Sequence, residues 1–148
     1  MTEEMIRMIQ LGQQGFHCSQ ILLIMGLEAR GQENPDLVRS MSGLAGGLGF
    51  SGEVCGALTG GACLLGLHAG RGSAEEEEDE RLNLMISELV EWFSAEYGSA
   101  YGGIRCENIL EGDPAARATR CPGMVLGTYN KVRELLVEQG FDLSGGRP

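Results

Sequence analysis

Aromatic side chains are scarce in this sequence: Trp, Tyr and Phe together make up 5% of its 148 residues. A core built from it must therefore be aliphatic. Positive charge is also scarce, with 11 Lys and Arg against 21 Asp and Glu and a formal net charge of −10. A chain of that balance is repelled by phosphate backbones, which argues against a nucleic-acid partner. No apolar run is long. Residues 54 to 70 carry no charge but include five glycines, and they fall short of the roughly 20 apolar residues a membrane helix needs. A buried central helix is expected there. The opening Met-Thr-Glu-Glu has neither a basic nor an apolar signal region, so no export is expected, and a cytoplasmic protein keeps its thiols reduced. There is no Cys-x-x-Cys pair, so a thioredoxin-like motif is absent. There is also no Cys-x-x-Cys-His, which excludes covalent haem attachment in this chain. The glycine-rich stretch 43–52 lacks the following Lys of a phosphate loop, and no strand precedes it. No segment alternates at period two, and no repeat of fixed length is present.

What is present is glycine, 24 residues of it, and helical periodicity. The pattern predicts an all-α fold, a single-domain bundle of about five or six helices over 1–143, with a frayed tail at 144–148. Thr2 caps a first helix to about Gln14, with Met5, Ile6, Met8 and Ile9 on its apolar face. A second helix starts near Cys18 and ends before Gly31. Asn34-Pro35 announces a third, a capping side chain followed by Pro at the first helical position. The fourth spans roughly 53–67, where Gly52, Gly56 and Gly60 repeat every four residues and form a smooth stripe for close backbone approach. If exposed, that stripe would invite a partner helix and a homo-oligomer. Ser73 and Glu76 form a capping box that opens the fifth helix, which runs to about Tyr97. The acidic run 75–80 reads as its solvated start. Residues 98–103 are loop, 104–110 a short helix, and Asp113-Pro114 a cap and turn. Cys121-Pro122 opens the last helix, with Val125, Leu126, Tyr129, Val132, Leu135 and Leu136 inward.

Four of the five cysteines then fall at helix starts. Cys18 begins the second helix, Cys55 lies in the first turn of the fourth, Cys106 begins or lies within the short one, and Cys121 caps the last. Unpaired N–H groups there carry partial positive charge, which lowers a thiol's pKa and favours thiolate. Thiolate is both a nucleophile and a soft-metal ligand, so the placement points to one shared site. Two chemistries remain open for these four residues. One is thiol–disulfide or electron-transfer redox, with Cys55 or Cys18 as nucleophile. The other is ligation of an iron–sulfur cluster or another soft metal ion. Beside both chemistries stands a third reading, a structural helical protein in which the four cysteines are only packing. Zinc is disfavoured because no close cysteine pair exists. Cys63, eight residues beyond Cys55, is too far along a helix for a disulfide with it and reads as a buried small hydrophobe. His17 is expected to be a solvated loop residue beside Cys18, His68 a charged partner of its helix's dipole, and Glu53 an ordinary helix-start acid.

Cys55-Gly56-Ala57-Leu58-Thr59-Gly60, with Phe16-His17-Cys18-Ser19-Gln20 upstream and Cys106 and Cys121 downstream, resembles the C_GCAxxG_C_C family of redox-active proteins. The resemblance runs from about Gly15 to Leu136. It implies that Cys18, Cys55, Cys106 and Cys121 are the family's four cysteines, and Cys63 matches none of them. It further implies a redox role, a thiol-dependent oxidoreductase among the options, with an unidentified redox partner and an association with a membrane transporter.

Overall fold

Thr2 does cap the first helix, its hydroxyl accepting from the Met5 amide. From there the computed structural model, which describes residues 1–145, follows the helical periodicity closely. Helix α1 is Glu3–Gln13, α2 Cys18–Ala29, α3 Pro35–Met41, α4 Gly56–Ala69, α5 Leu82–Phe93, α6 Cys106–Leu110 and α7 Arg117–Glu138. Five of these are long and two short, and the described residues contain no strand, only an isolated antiparallel bridge between Val54 and Arg105. Among the described residues no helix is long and apolar enough to cross a membrane.

The core forms around α4, with α2 along one side and α5 and α7 along the other. The small residues of α4 make this possible. A methyl group at Gly60 would lie 3.0 Å from the Ser19 Cα on α2, and one at Gly61 would lie 2.8 Å from the Thr128 Cγ2 on α7. Gly60 does lie on a stripe facing another helix, and so does Gly56, but Gly52 does not. It sits in the loop before α4, which begins at Gly56 rather than near Glu53. The stripe is covered by α2 within the same chain. Leu22, Leu65, Met85, Leu89, Phe93, Val132, Leu135 and Leu136 fill the centre, the mostly aliphatic core that the composition requires.

Several boundaries differ from the sequence reading. Ser73 and Glu76 do not open α5. Glu76 instead accepts from the Gly72 amide within a loop, and the helix starts six residues beyond Glu76, at Leu82, behind Asp79, which receives the Arg81 amide. Six acidic side chains in a row repel one another, so the chain stays non-helical until the charge run has passed. At its other end α5 continues beyond Tyr97 through one wider turn, Ser94–Gly98, and a last turn, Ser99–Tyr101, before Gly102 stops it with φ +79°. The edge-on packing of Tyr97 against Trp92 and Phe93 covers this extension. On α1 the buried residues are Met8 and Leu11, whereas Ile6 and Ile9 are exposed. Ser144 and Gly145 are held in a turn by Asp142. The rest of the tail expected to fray, residues 146–148, lies outside the described residues.

Candidate functional site

Cys18, Cys55, Cys106 and Cys121 all line one cavity of about 490 Å³. Each arrives on a different segment. Cys18 is the first residue of α2, whose start is fixed by two buried side chains. Ser19 Oγ donates to the Met41 carbonyl at 2.8 Å, and Gln20 accepts from the His17 amide while its Nε2 donates to the Val38 carbonyl at 3.2 Å. The Cys18 sulfur packs against α4 where Gly56 leaves room, since a Cβ at Gly56 would sit 2.7 Å from it.

Cys55 and Cys106 are tied together by backbone. The Cys55 amide donates to the Ile104 carbonyl at 2.9 Å and the Cys106 amide to the Glu53 carbonyl at 2.6 Å, on either side of the Val54–Arg105 bridge. The Glu53 carboxylate, expected to head a helix, instead pairs with Arg105 at 2.8 Å across the same junction. Two residues of pairing are too few to leave a period-two pattern, so nothing in the sequence announced it.

Cys121 departs most from expectation. It lies within α7, which starts four residues earlier at Arg117, and Pro122 is inside that helix. Proline has no N–H to offer, so the Ala118 carbonyl loses its partner four residues on, and both Ala118 and Pro122 line the cavity. The short turn Pro114–Ala116, capped by Asp113 as expected, leads directly into α7 and supplies the true start.

The cavity wall is otherwise largely apolar, with Met8, Phe16, Ile21, Ile109 and Val125 among its residues and Arg117 as the charged exception. At the mouth, Phe50 stands on the glycine-rich loop 43–52. The chain from Gly46 to Phe50 stays left-handed, including Leu48 at φ +66° and Phe50 at φ +63°. For residues with a side chain that hand costs roughly 1–2 kcal/mol each. His17 is exposed and packs edge-on against Phe50 at 5.4 Å, and the Arg117 guanidinium lies 5.0 Å from the centre of the Phe50 ring.

This environment reverses the expected acidity of three of the thiols. Burial pushes Cys55 up to about 12, and the neighbouring Cys18 adds to it. The Ala57 and Leu58 amides oppose the shift without making a full capping hydrogen bond. Burial likewise raises Cys121 to about 11, again with Cys18 adding, against a pull downward from Arg117. Cys18 is raised by burial too, and is drawn back by the Ser19 and Gly46 amides and by Arg117. Helix-start amides are therefore present at Cys18 and Cys55, but loss of solvation outweighs them in a cavity this apolar.

Cys63 is not buried. It is an exposed cysteine on the outer side of α4, away from the four-cysteine cavity. His68 is the reverse case. It is 4% exposed, its pKa is lowered to about 4 by burial and by Arg30, and Arg30 Nη1 lies 3.5 Å from its Nδ1. It is neutral at pH 7 and is no partner for the helix dipole. All five cysteines are free thiols. Among the described residues no group of three or more His, Cys, Asp or Glu side chains is arranged to hold a metal ion. A second, more open cleft of about 540 Å³ lies between α1, α2 and α3 and contains no cysteine.

A family model described as "Putative redox-active protein (C_GCAxxG_C_C)" matches residues 16–135. No curated protein and no solved structure matches the chain.

Proposed function

The chain belongs to the C_GCAxxG_C_C family of redox-active proteins, and from that premise we propose that it exchanges electrons through reversible disulfide formation among Cys18, Cys55, Cys106 and Cys121. The observation that supports this reading is the convergence of these four thiols, and not Cys63, on one cavity. Cys18 is the candidate attacking thiol because it lines the cavity at the start of α2, where the Ser19 and Gly46 amides and the Arg117 charge favour its thiolate. Its proton leaves, and the thiolate attacks one sulfur of an acceptor disulfide. The acceptor's other sulfur departs as a thiolate and takes up a proton. A second protein thiol then attacks the mixed disulfide, closing an intramolecular bond and releasing the acceptor's remaining half as a thiol. Two protein thiols are oxidised and one acceptor disulfide is reduced to two thiols. The raised thiol pKa values mean that little thiolate is present at neutral pH. The reduced state gains no thiolate stabilisation, and the dithiol is the more reducing for it. A cytoplasmic location suits such chemistry.

The test is thiol counting on the reduced chain before and after equilibration with a small disulfide, followed by mapping of the bond formed. With Cys63 replaced by Ser in both chains, the expected result is a loss of two thiols, with the bond linking Cys18 to one of its three neighbours, and no loss when Cys18→Ser is added. A full complement of thiols in the wild-type chain after equilibration at pH 9 overturns the proposal. The alternative, an iron–sulfur cluster or soft metal held by the same four cysteines, is supported only by the residue types. Iron in fixed proportion to chain after anaerobic purification would establish it and make Cys55 a ligand.

A further inference from the structure

We propose that the thiol cavity is a binding site for a small organic monoanion, its apolar body against Phe16, Ile21, Ile109 and Val125 and its carboxylate on Arg117. This names a ligand class for the cavity and rests on the redox reading only in that the same four thiols line it.

The cavity, at about 490 Å³, falls within the size range of small-molecule sites, which are mostly apolar with a few placed polar groups. No Asp or Glu lines it, although the chain carries 21 of them. Arg117 is its charged wall residue, and it stands apart from most other cations of the chain. Arg7, Arg39, Arg81, Arg105, Arg120, Arg133 and Lys131 each make an ion pair. Arg117 makes none among the described residues, and its guanidinium is held over the Phe50 ring at the cavity mouth. The same charge reaches inward, since it acts on both Cys18 and Cys121. A half-buried cation beside an apolar chamber is a directional anchor, because an anion there regains in a charge-assisted hydrogen bond what it loses in hydration. The surrounding field selects against more highly charged ligands. At a net charge of −10 the molecule repels polyanions, whereas a single carboxylate on a hydrocarbon body needs only the one cation. Its place over the Phe50 ring holds the guanidinium at the cavity mouth, and with no ion-pair partner among the described residues its donors are open to a carboxylate.

The experiment compares octanoate with octan-1-ol, one apolar body with and without the charge, by calorimetry on the reduced full-length chain. Octanoate is expected to bind at one site per chain and to slow alkylation of Cys18 by iodoacetamide. Arg117→Gln is expected to weaken octanoate at least tenfold and to leave octan-1-ol unchanged, and Arg117→Lys to recover most of the loss. Far-UV circular dichroism and the thermal midpoint establish that both variants are folded. Equal octanoate affinity in wild type and Arg117→Gln overturns the proposal, and so does binding that leaves Cys18 alkylation untouched. Because binding is read in reducing buffer, the two readings fail separately. A chain that binds octanoate but never forms the disulfide overturns the redox reading alone, and one that forms the disulfide but ignores octanoate overturns this one alone.

Discussion

His68 is a histidine that folding keeps from charging. Burial and the adjacent Arg30 hold its pKa at about 4, against an ordinary 6.5. In the unfolded chain it takes a proton as pH falls below about 6.5, while in the folded chain it does not. The unfolded state then binds more protons, so stability drops as pH is lowered from about 6.5 to 4 and is fully present above that window. Each tenfold change in proton affinity is worth about 1.36 kcal/mol, so the loss comes to about 3 kcal/mol at most. Urea unfolding of wild type and His68→Gln at pH 7, 6, 5 and 4.5 checks this, and the expected outcome is a shallower decline in the variant. A decline of the same steepness in both would show that His68 charges freely in the folded chain. Cys63 shows the opposite error of sequence reading. Its neighbours Ala62, Leu64 and Leu65 are small or apolar, but the helix turns its position outward.

At the scale of the element, α4 decides the architecture because its two sides press on different helices. Adding one methyl group separates its glycines into classes. At Gly60 the methyl meets the Ser19 backbone, which cannot yield as a side-chain tip can, and at Gly66 it meets nothing within 4 Å. Gly60→Ala is expected to cost about 1–3 kcal/mol by overpacking the α2 contact. Gly66→Ala is expected to stabilise by about 0.5–1 kcal/mol through helix propensity and a less flexible unfolded chain. The measurement is the urea midpoint of the two variants side by side, and destabilisation by both to the same extent would contradict the packing described. The sequence made the helices legible wherever a cap or a periodic apolar face marked them, as at Thr2, Asn34 and the series from Leu82 to Phe93. It announced the Gly56–Gly60 approach for the same reason, an i, i+4 repeat of the smallest residue. It misled at Ser73 and at Cys121. In both places a local motif had the right residues, but its neighbours decided the outcome, a charge run in the first case and an upstream turn in the second.

The whole molecule brings the four cysteines to one apolar chamber, and that has a consequence for alkaline stability. Cys55 at about 12 and Cys121 at about 11 stand above the ordinary thiol value of 9.0, and Tyr97 and Tyr129 are shifted the same way by burial. The unfolded chain releases these protons first, so the contribution of these groups is intact below about pH 9 and is lost as pH rises towards 12. Unfolding of wild type and Cys55→Ser at pH 8 and 10.5 is expected to show a larger drop in the wild type. Equal drops would mean that the Cys55 thiol ionises as readily folded as unfolded. The convergence of four cysteines was legible from their types and order along the chain. That their chamber would suppress ionisation was not, because solvation depends on walls contributed by α1, α2, α6 and α7 together. The backbone bridge joining the Cys55 and Cys106 segments left no trace in composition or periodicity. The order in which those walls are made follows the chain. Cys18 is synthesised early and Cys121 late, and Arg117, Pro122 and Val125 arrive only with α7. Without α7 the chamber lacks the wall that carries Arg117, Cys121, Pro122 and Val125. The burial that raises the pKa values of the earlier thiols is then incomplete, so they are less protected from ionisation than in the folded chain. The last helix to be synthesised is thus the one that closes the thiols away from solvent.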